Sequence, residues 1–418
     1  MRRFTRRGFL AATALSTAGL TTLAGCVGGD GATGGAGTDG SADGDSPPAA
    51  GSGTGDANEV TGGDQLTATA NCEEPDTADG SPTPAAAGPT SGDSLWPFPT
   101  TDEPLPLPMS RADLRAESRS GGPPKDGIPS IDEPAFVDAD GADFLEDRDV
   151  VFGVVREGVA RAYPQRILAQ HEIVNDVLAG VPVAVTYCPL TGTAMGFLRG
   201  DATFGVSGRL INNNLVMYDR VSETWWPQIL ATSIPGPWNE SPETGSLREF
   251  RLVWTRWDRW REHHPDTEVL STETGYARNY RNDPYGSYVP LSGYYAGGSP
   301  MFPALDHGDR YDPKTVVLGA RTPDGAVAFH KESLRSTGVV EGELGGTPVL
   351  AVFDPRYDTG YVYANPDERS FTFDDDCGRV AGDGTTYAPD SLPLARVYAF
   401  DAMWFAWSGY YPDSNVYE

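Results

Sequence analysis

The sequence predicts an α+β fold: a β-rich body of two related, internally duplicated lobes, preceded by a disordered acidic linker. Three observations predict it. The chain matches itself at two offsets. Sliding it by 166 positions lays Val151-Phe152-Gly153 over Val317-Leu318-Gly319, Ala160-Arg161-Ala162-Tyr163 over Ala326-Val327-Ala328-Phe329, and Pro182-Val183 over Pro348-Val349. Sliding it by 147 lays Trp257-Asp258-Arg259-Trp260 over Trp404-Phe405-Ala406-Trp407. Matches in the same order at nearly fixed offsets mark a repeated unit, and the change of offset means that the second copy lacks about nineteen residues. The repeated blocks also alternate apolar and polar residues and are rich in β-branched side chains, as strands are. Finally, residues 27–93 carry twelve acidic residues and no aromatic, Ile, Lys or Arg. Such a composition cannot bury enough apolar surface to offset its ordering entropy.

Taken in order, residues 1–25 read as a twin-arginine lipoprotein signal. Arg6-Arg7 precede Phe9-Leu10, an apolar run follows, and Leu23-Ala24-Gly25-Cys26 resembles a lipobox. The run is shorter than the ~20 residues of a spanning helix, which disfavours the alternative of a short membrane anchor. Cys26 is the expected lipidation site. The mature protein is then held on the outer face of the cell membrane, exported by the twin-arginine route, with the membrane as its partner through that lipid. Residues 26–93 form the tether, with a reach of roughly 45 Å as a flexible coil. Residues 94–275 are the first lobe and 276–418 the second, divergent lobe. Each lobe reads as a strand, a turn at Gly158 or Gly325, a second strand, a helix, another strand, and a closing helix with tryptophans at i, i+3 facing the core. The first lobe adds β-like stretches at 202–207, 214–218 and 225–229.

The formal charge is −28, from 31 Lys and Arg against 59 Asp and Glu. That excess argues against nucleic acid or an anionic membrane surface as a partner, since both carry the same sign. Only Lys125, Lys314 and Lys331 are lysines, and an acid-rich, lysine-poor surface suits a halophile.

The two copies serve as each other's control, because polar groups present in only one are candidates for function. His171 lies opposite Thr337, Glu172 opposite Gly338, Asp176 opposite Gly342 and Cys188 opposite Asp354. His171, Glu172, Asp176 and Cys188 are therefore the candidate catalytic residues. The segment 171–176 is expected to be helical, with His171 and Asn175 on one face. It matches the zinc motif H-E-x-x-H only in part, because Asn175 stands at the second ligand position. Helix capping is the alternative role for His171, Asn175 and Asp176. Cys188 reads as a nucleophile activated by His171, as a soft metal ligand beside His171, or as buried filler. A transition metal is thus one candidate cofactor. A second group, Ser207, Asn212, Asn214, Tyr218 and Trp225, reads either as the wall of a small-molecule pocket or as hairpins with Asn turns. With Cys26 lipidated, a Cys72–Cys377 bridge would staple the tether to the body and leave Cys188 as a thiol.

Seven separated motifs carry a family resemblance: Asp126-Gly127-Ile128-Pro129, Ala162-Tyr163-Pro164, His171-Glu172-Ile173-Val174-Asn175-Asp176, Thr186-Tyr187-Cys188-Pro189-Leu190, Phe204-Gly205-Val206-Ser207-Gly208, Leu215-Val216-Met217-Tyr218-Asp219-Arg220 and Trp404-Phe405-Ala406-Trp407. From about Gly127 to Glu418 the chain resembles the family filed as domain of unknown function 3179, whose members are often exported. The resemblance implies no activity. Many members carry C-P-L-C-G-T, a pair of thiols suited to metal or redox work. Here Thr191 takes the second position, which leaves Cys188 alone or with His171. Two function classes stay open: a thiol or metal site in the first lobe, and an extracytoplasmic module that binds a small ligand without catalysis.

Overall fold

A computed structural model describes residues 96–306 and 308–418. The signal, Cys26, the tether and Cys72 lie outside the described residues. The described chain is 40% strand and 13% helix, so the body is β-rich with few helices. Among the described residues no helix is long and apolar enough to cross a membrane.

The first half of the body starts with the hairpin Val150–Arg156 and Val159–Pro164, which reverses at Glu157 and Gly158, both with positive φ. The short helix Gln165–His171 leads into a meander of Ile173–Leu178, Val181–Cys188 and Thr193–Leu198, closed at its edge by Glu249–Phe250. The chain then returns through Val253–Arg256 to pair antiparallel with Val150–Arg156. The helix Trp257–His263 follows, and Glu268–Leu270 adds parallel to Val159–Pro164.

The second half has the same strand order. Val316–Thr322 pairs with Gly325–His330, the helix Lys331–Thr337 follows, and Val339–Leu344, Thr347–Asp354 and Thr359–Ala364 form a meander closed by Ala395–Val397. Ala399–Met403 returns to Val316–Thr322, the helix Trp404–Tyr410 follows, and Asn415–Tyr417 adds parallel to Gly325–His330. One packing contact occurs in both halves. A Cβ on Gly153 would lie 2.2 Å from the Trp260 ring, and one on Gly319 would lie 2.0 Å from the Trp407 ring. Each indole N–H donates to a hydroxyl seven residues on, Thr267 or Ser414, both at 3.0 Å. The glycines let the closing helices sit flat on the central strands.

A separate sheet of Arg119–Ser120, Phe204–Ile211, Asn214–Asp219 and Trp225–Pro227 accompanies the first half. It carries the three extra β-like stretches expected from the sequence. Its hairpin turns at Asn212 and Asn213, both with positive φ, where Asn is tolerated best after Gly. One large apolar core takes in Phe98, Tyr218, Trp225 and Trp226 together with Phe400, Trp404 and Trp407, so the halves share an interior.

The expected helix over 171–176 is not formed. Helical structure stops at His171, Glu172 turns left-handed at φ 61°, and Ile173–Leu178 is a strand. The β-branched pair Ile173-Val174 suits the pleated surface, and the strand pairs with Val181–Cys188 from Ile173↔Thr186 to Leu178↔Val181. Side chains alternate along a strand, so His171, Asn175 and Asp176 do not share one helical face.

Candidate functional site

Cys188 ends the strand Val181–Cys188 and is buried. Its thiol contacts the Asn213 carbonyl at 3.5 Å and accepts from the Leu215 N–H at 3.4 Å. Burial, reinforced by the nearby charge of Glu172, pushes the thiol up to about 11. At neutral pH it is a protonated thiol and not a thiolate.

Glu172 occupies the turn between helix and strand. Its N–H caps the helix on the Leu168 carbonyl at 2.7 Å, and its carbonyl accepts from Tyr187 N–H at 2.8 Å. The corresponding turn in the second half is made by Gly338, at φ 74°, with the same two backbone bonds to Leu334 and Phe353. The position favours glycine, yet here it carries a carboxylic acid. Burial alone raises that acid to about 8, so it holds its proton at neutral pH. Among the described residues its carboxyl has no hydrogen-bond or ion-pair partner. Tyr285 lies close to both groups: its hydroxyl is raised first by burial and then by the charges of Glu172 and Cys188.

A chain of hydroxyls stands beside them. The Gln165 amide nitrogen lies within hydrogen-bond distance of Asp283 at 2.6 Å, Tyr295 at 3.0 Å and Tyr187 at 3.1 Å, and shares its two protons among them. Tyr187 in turn bonds Tyr288 at 3.1 Å, and the Tyr288 and Tyr295 rings stack with centroids 4.0 Å apart. Tyr288 also walls a cleft of about 360 Å³ that Gly192, Trp254, Lys331 and Met403 help to line. The hydroxyl chain therefore runs from the interior to a cavity wall.

His171 is buried on the same turn but is committed elsewhere. Its Nδ1 lies 2.7 Å from the Pro129 carbonyl and its Nε2 lies 2.6 Å from the Tyr280 hydroxyl. A carbonyl only accepts, so Nδ1 carries the proton and Nε2 accepts from Tyr280. Burial lowers the ring's pKa, against the pull of the Pro129 carbonyl, so the ring is neutral. Neither nitrogen is free to ligate a metal or to take a proton from Cys188. Asp176 is also held apart: it accepts from Arg161 at 2.7 Å and from the Tyr163 hydroxyl at 2.6 Å. Of the four expected catalytic residues, Glu172 and Cys188 lie near enough for the charge of one to raise the other, while hydrogen bonds hold His171 and Asp176 to other partners. Among the described residues no three His, Cys, Asp or Glu side chains gather in a way that could hold a metal ion.

Residues 125–414 match the family described as protein of unknown function DUF3179. The chain belongs to this family. No curated protein and no solved structure shows significant similarity to it. The DUF3179 match spans both halves of the body, including the segment 276–305 that reaches back to His171, Gln165 and Asn213. In this DUF3179 chain the Thr191 side chain stands against the Cys188 thiol, and its hydroxyl accepts from Asn214 at 3.2 Å.

The second group of expected site residues is largely satisfied within the protein. Ser207 donates to the Val216 carbonyl at 2.5 Å. Asn212 holds Leu305 N–H at 2.9 Å and donates to the Phe405 and Ala406 carbonyls. Asn214 bonds Gln228 at 2.9 Å and Ile229 N–H at 2.9 Å. These amides pin loops to the core. Tyr218 donates to Asp126 at 2.5 Å, and its ring lies 5.2 Å from Trp238, which is 6.0 Å from Trp225. Lys125 already covers that corner, 4.1 Å above Trp238 and 4.3 Å above Tyr218. Sequence reasoning missed Tyr285, Asp283, Tyr288 and Tyr295. Six of the chain's 18 tyrosines fall between Tyr276 and Tyr295, and that density was the available signal. Cys188 is free, whereas Cys377 is disulfide-bonded; its expected partner, Cys72, lies outside the described residues.

Proposed function

We propose that this chain is an exported, lipid-anchored protein of a halophilic prokaryote whose first lobe binds a small molecule through the protonated acid of Glu172, beside the Cys188 thiol. One observation carries the reading: a carboxyl on a buried residue, 6% exposed, with no hydrogen-bond or ion-pair partner among the described residues, kept at a left-handed turn where glycine is favoured. A non-glycine residue there costs about 1–2 kcal/mol, and such strain points to a functional demand on the side chain. A protonated acid in an apolar, tyrosine-lined site donates a hydrogen bond to a ligand acceptor, and the cleft walled by Tyr288 is the nearest opening along the neighbouring hydroxyl chain. The twin-arginine and lipobox motifs support export and anchoring at Cys26. The self-matches and the shared strand order support an internal duplication in which the first copy acquired the site.

A thermal-shift screen of neutral carbonyl and amide compounds on native protein tests the binding reading. A compound that raises the wild-type midpoint should lose its effect on Glu172→Leu, whose side chain has no donor, and keep it on Glu172→Gln, whose amide still donates. If every stabilising compound acts equally on wild type and Glu172→Leu, the assignment to Glu172 is wrong. A second reading, thiol chemistry at Cys188, draws on its closeness to Glu172, which would take the thiol's proton only above the pH at which it ionises, about 8. It requires rapid alkylation of Cys188 in native protein, whereas the binding reading expects slow alkylation. Stoichiometric transition metal in native protein, lost in Cys188→Ser, would move the assignment to a metal centre.

A further inference from the structure

The chain carries a strong excess of acid, yet one cleft collects its arginines. It has a volume of about 590 Å³, within the range of small-molecule sites, and lies where the two halves meet. Arg156, Arg248, Arg251 and Arg396 line it. So do two acids, but both are taken: Glu249 pairs with Arg321 at 2.6 Å, and Asp390 with Arg356 at 2.9 Å. The arginines are not comparably matched. The Arg156 side chain is only 5% exposed, and its one ionic neighbour among the described residues is Glu157, 3.9 Å away and itself largely exposed. The Nε atoms of Arg156, Arg251 and Arg396 are all buried without a partner, as is the Tyr398 hydroxyl on the same wall.

Arg251 is anchored through its other nitrogens, donating across the interface to Thr359 at 2.8 Å and the Gly360 carbonyl at 2.6 Å. Arg251 and Arg396 both lie over the Tyr361 ring, at 4.9 and 4.7 Å. Their guanidinium groups are thus held in place before any ligand arrives. His264, also on the wall, is lowered to about 4 by burial and by His263 and Arg356, so it is neutral and adds no charge. Val154, Leu198, Phe250 and Val397 add apolar surface to the lining.

Buried guanidinium groups without a counter-charge are expensive, and their planar forks match carboxylate geometry. We propose that this cleft binds a small organic monocarboxylate with an aromatic or branched apolar body, its carboxylate on Arg156 and Arg396 and its body against Phe250 and Val397. The site is separate from Glu172 and stands whether or not that reading holds.

Isothermal titration of the full-length protein with benzoate, benzamide and sulfate tests it. Benzoate should bind, weaken at least tenfold in both Arg156→Gln and Arg396→Gln, and weaken as salt is added. Its neutral isostere benzamide should not bind measurably. Equal binding of benzamide, binding of sulfate as tight as that of benzoate, or unchanged affinity in the variants would overturn the proposal. A further measurement needs no variant: phenylglyoxal modification of wild type, mapped by mass spectrometry, should be slowed at Arg156 and Arg396 by benzoate but not by benzamide. Equal modification with and without benzoate would also overturn it.

Discussion

His171 shows how a residue with catalytic chemistry can be spent on architecture. Each of its nitrogens satisfies one buried group, the Pro129 carbonyl and the Tyr280 hydroxyl. Removing the ring leaves the Pro129 carbonyl without its donor and Tyr280 with only its bond to Thr274, and it opens a cavity. His171→Ala should therefore lose about 2–4 kcal/mol in urea unfolding, while the alkylation rate of Cys188 stays as in wild type. A several-fold fall in that rate would instead make His171 the base of Cys188. Comparing the two matching segments singles out Glu172 and Cys188 as groups lacking a counterpart, and these are the two that the proposed site uses. The comparison could not separate them from His171 and Asp176. That separation depends on hydrogen bonds to Pro129, Tyr280 and Arg161, and on Glu172 lying in a left-handed turn, none of which sequence spacing encodes.

At the level of elements, strands were more legible than the helix end. The hairpin at Gly158, the meander strand ending at Cys188 and the tryptophan-bearing helices follow from alternation, turn residues and i, i+3 spacing. The segment 171–176 departs from the expected helix because its β-branched Ile173-Val174 pair into the sheet after the left-handed turn at Glu172. The tyrosine-rich run from Tyr276 to Tyr295 has no clear periodicity, and its role emerges only from the residues it touches across the fold. The glycine beneath each closing tryptophan gives a prediction at this scale. Gly153→Ala and Gly319→Ala each place a methyl group within the van der Waals radius of an indole. Each should cost about 1–3 kcal/mol in equilibrium unfolding. A neutral effect at both would mean that the closing helices do not rest on these strands as described.

For the whole molecule, the proposed address and tether rest on sequence motifs, and the fold adds the two cavities described above to a strongly acidic chain. Anchoring belongs to this scale: Cys26→Ser should move the protein from the membrane fraction to the medium without changing its thermal midpoint, as fractionation and calorimetry would show. Retention in the membrane would contradict lipid attachment at Cys26. The account depends most on the protonated Glu172, and the pH dependence of stability tests that directly. The folded carboxyl is raised from 4.5 to about 8. Below pH 4.5 both the folded and unfolded states hold the proton, and the group is neutral in its effect. Between pH 4.5 and 8 the unfolded chain ionises while the folded one does not, so wild type loses stability by up to about 1.4 kcal/mol per pH unit. Above 8 the loss levels off. The deciding measurement is urea unfolding of wild type and Glu172→Gln from pH 5 to 9. The account predicts that the variant gains on wild type by a few kcal/mol across that range and that the gain flattens near pH 8; parallel profiles would mean that Glu172 is ionised and partnered, and that the proposed site does not exist.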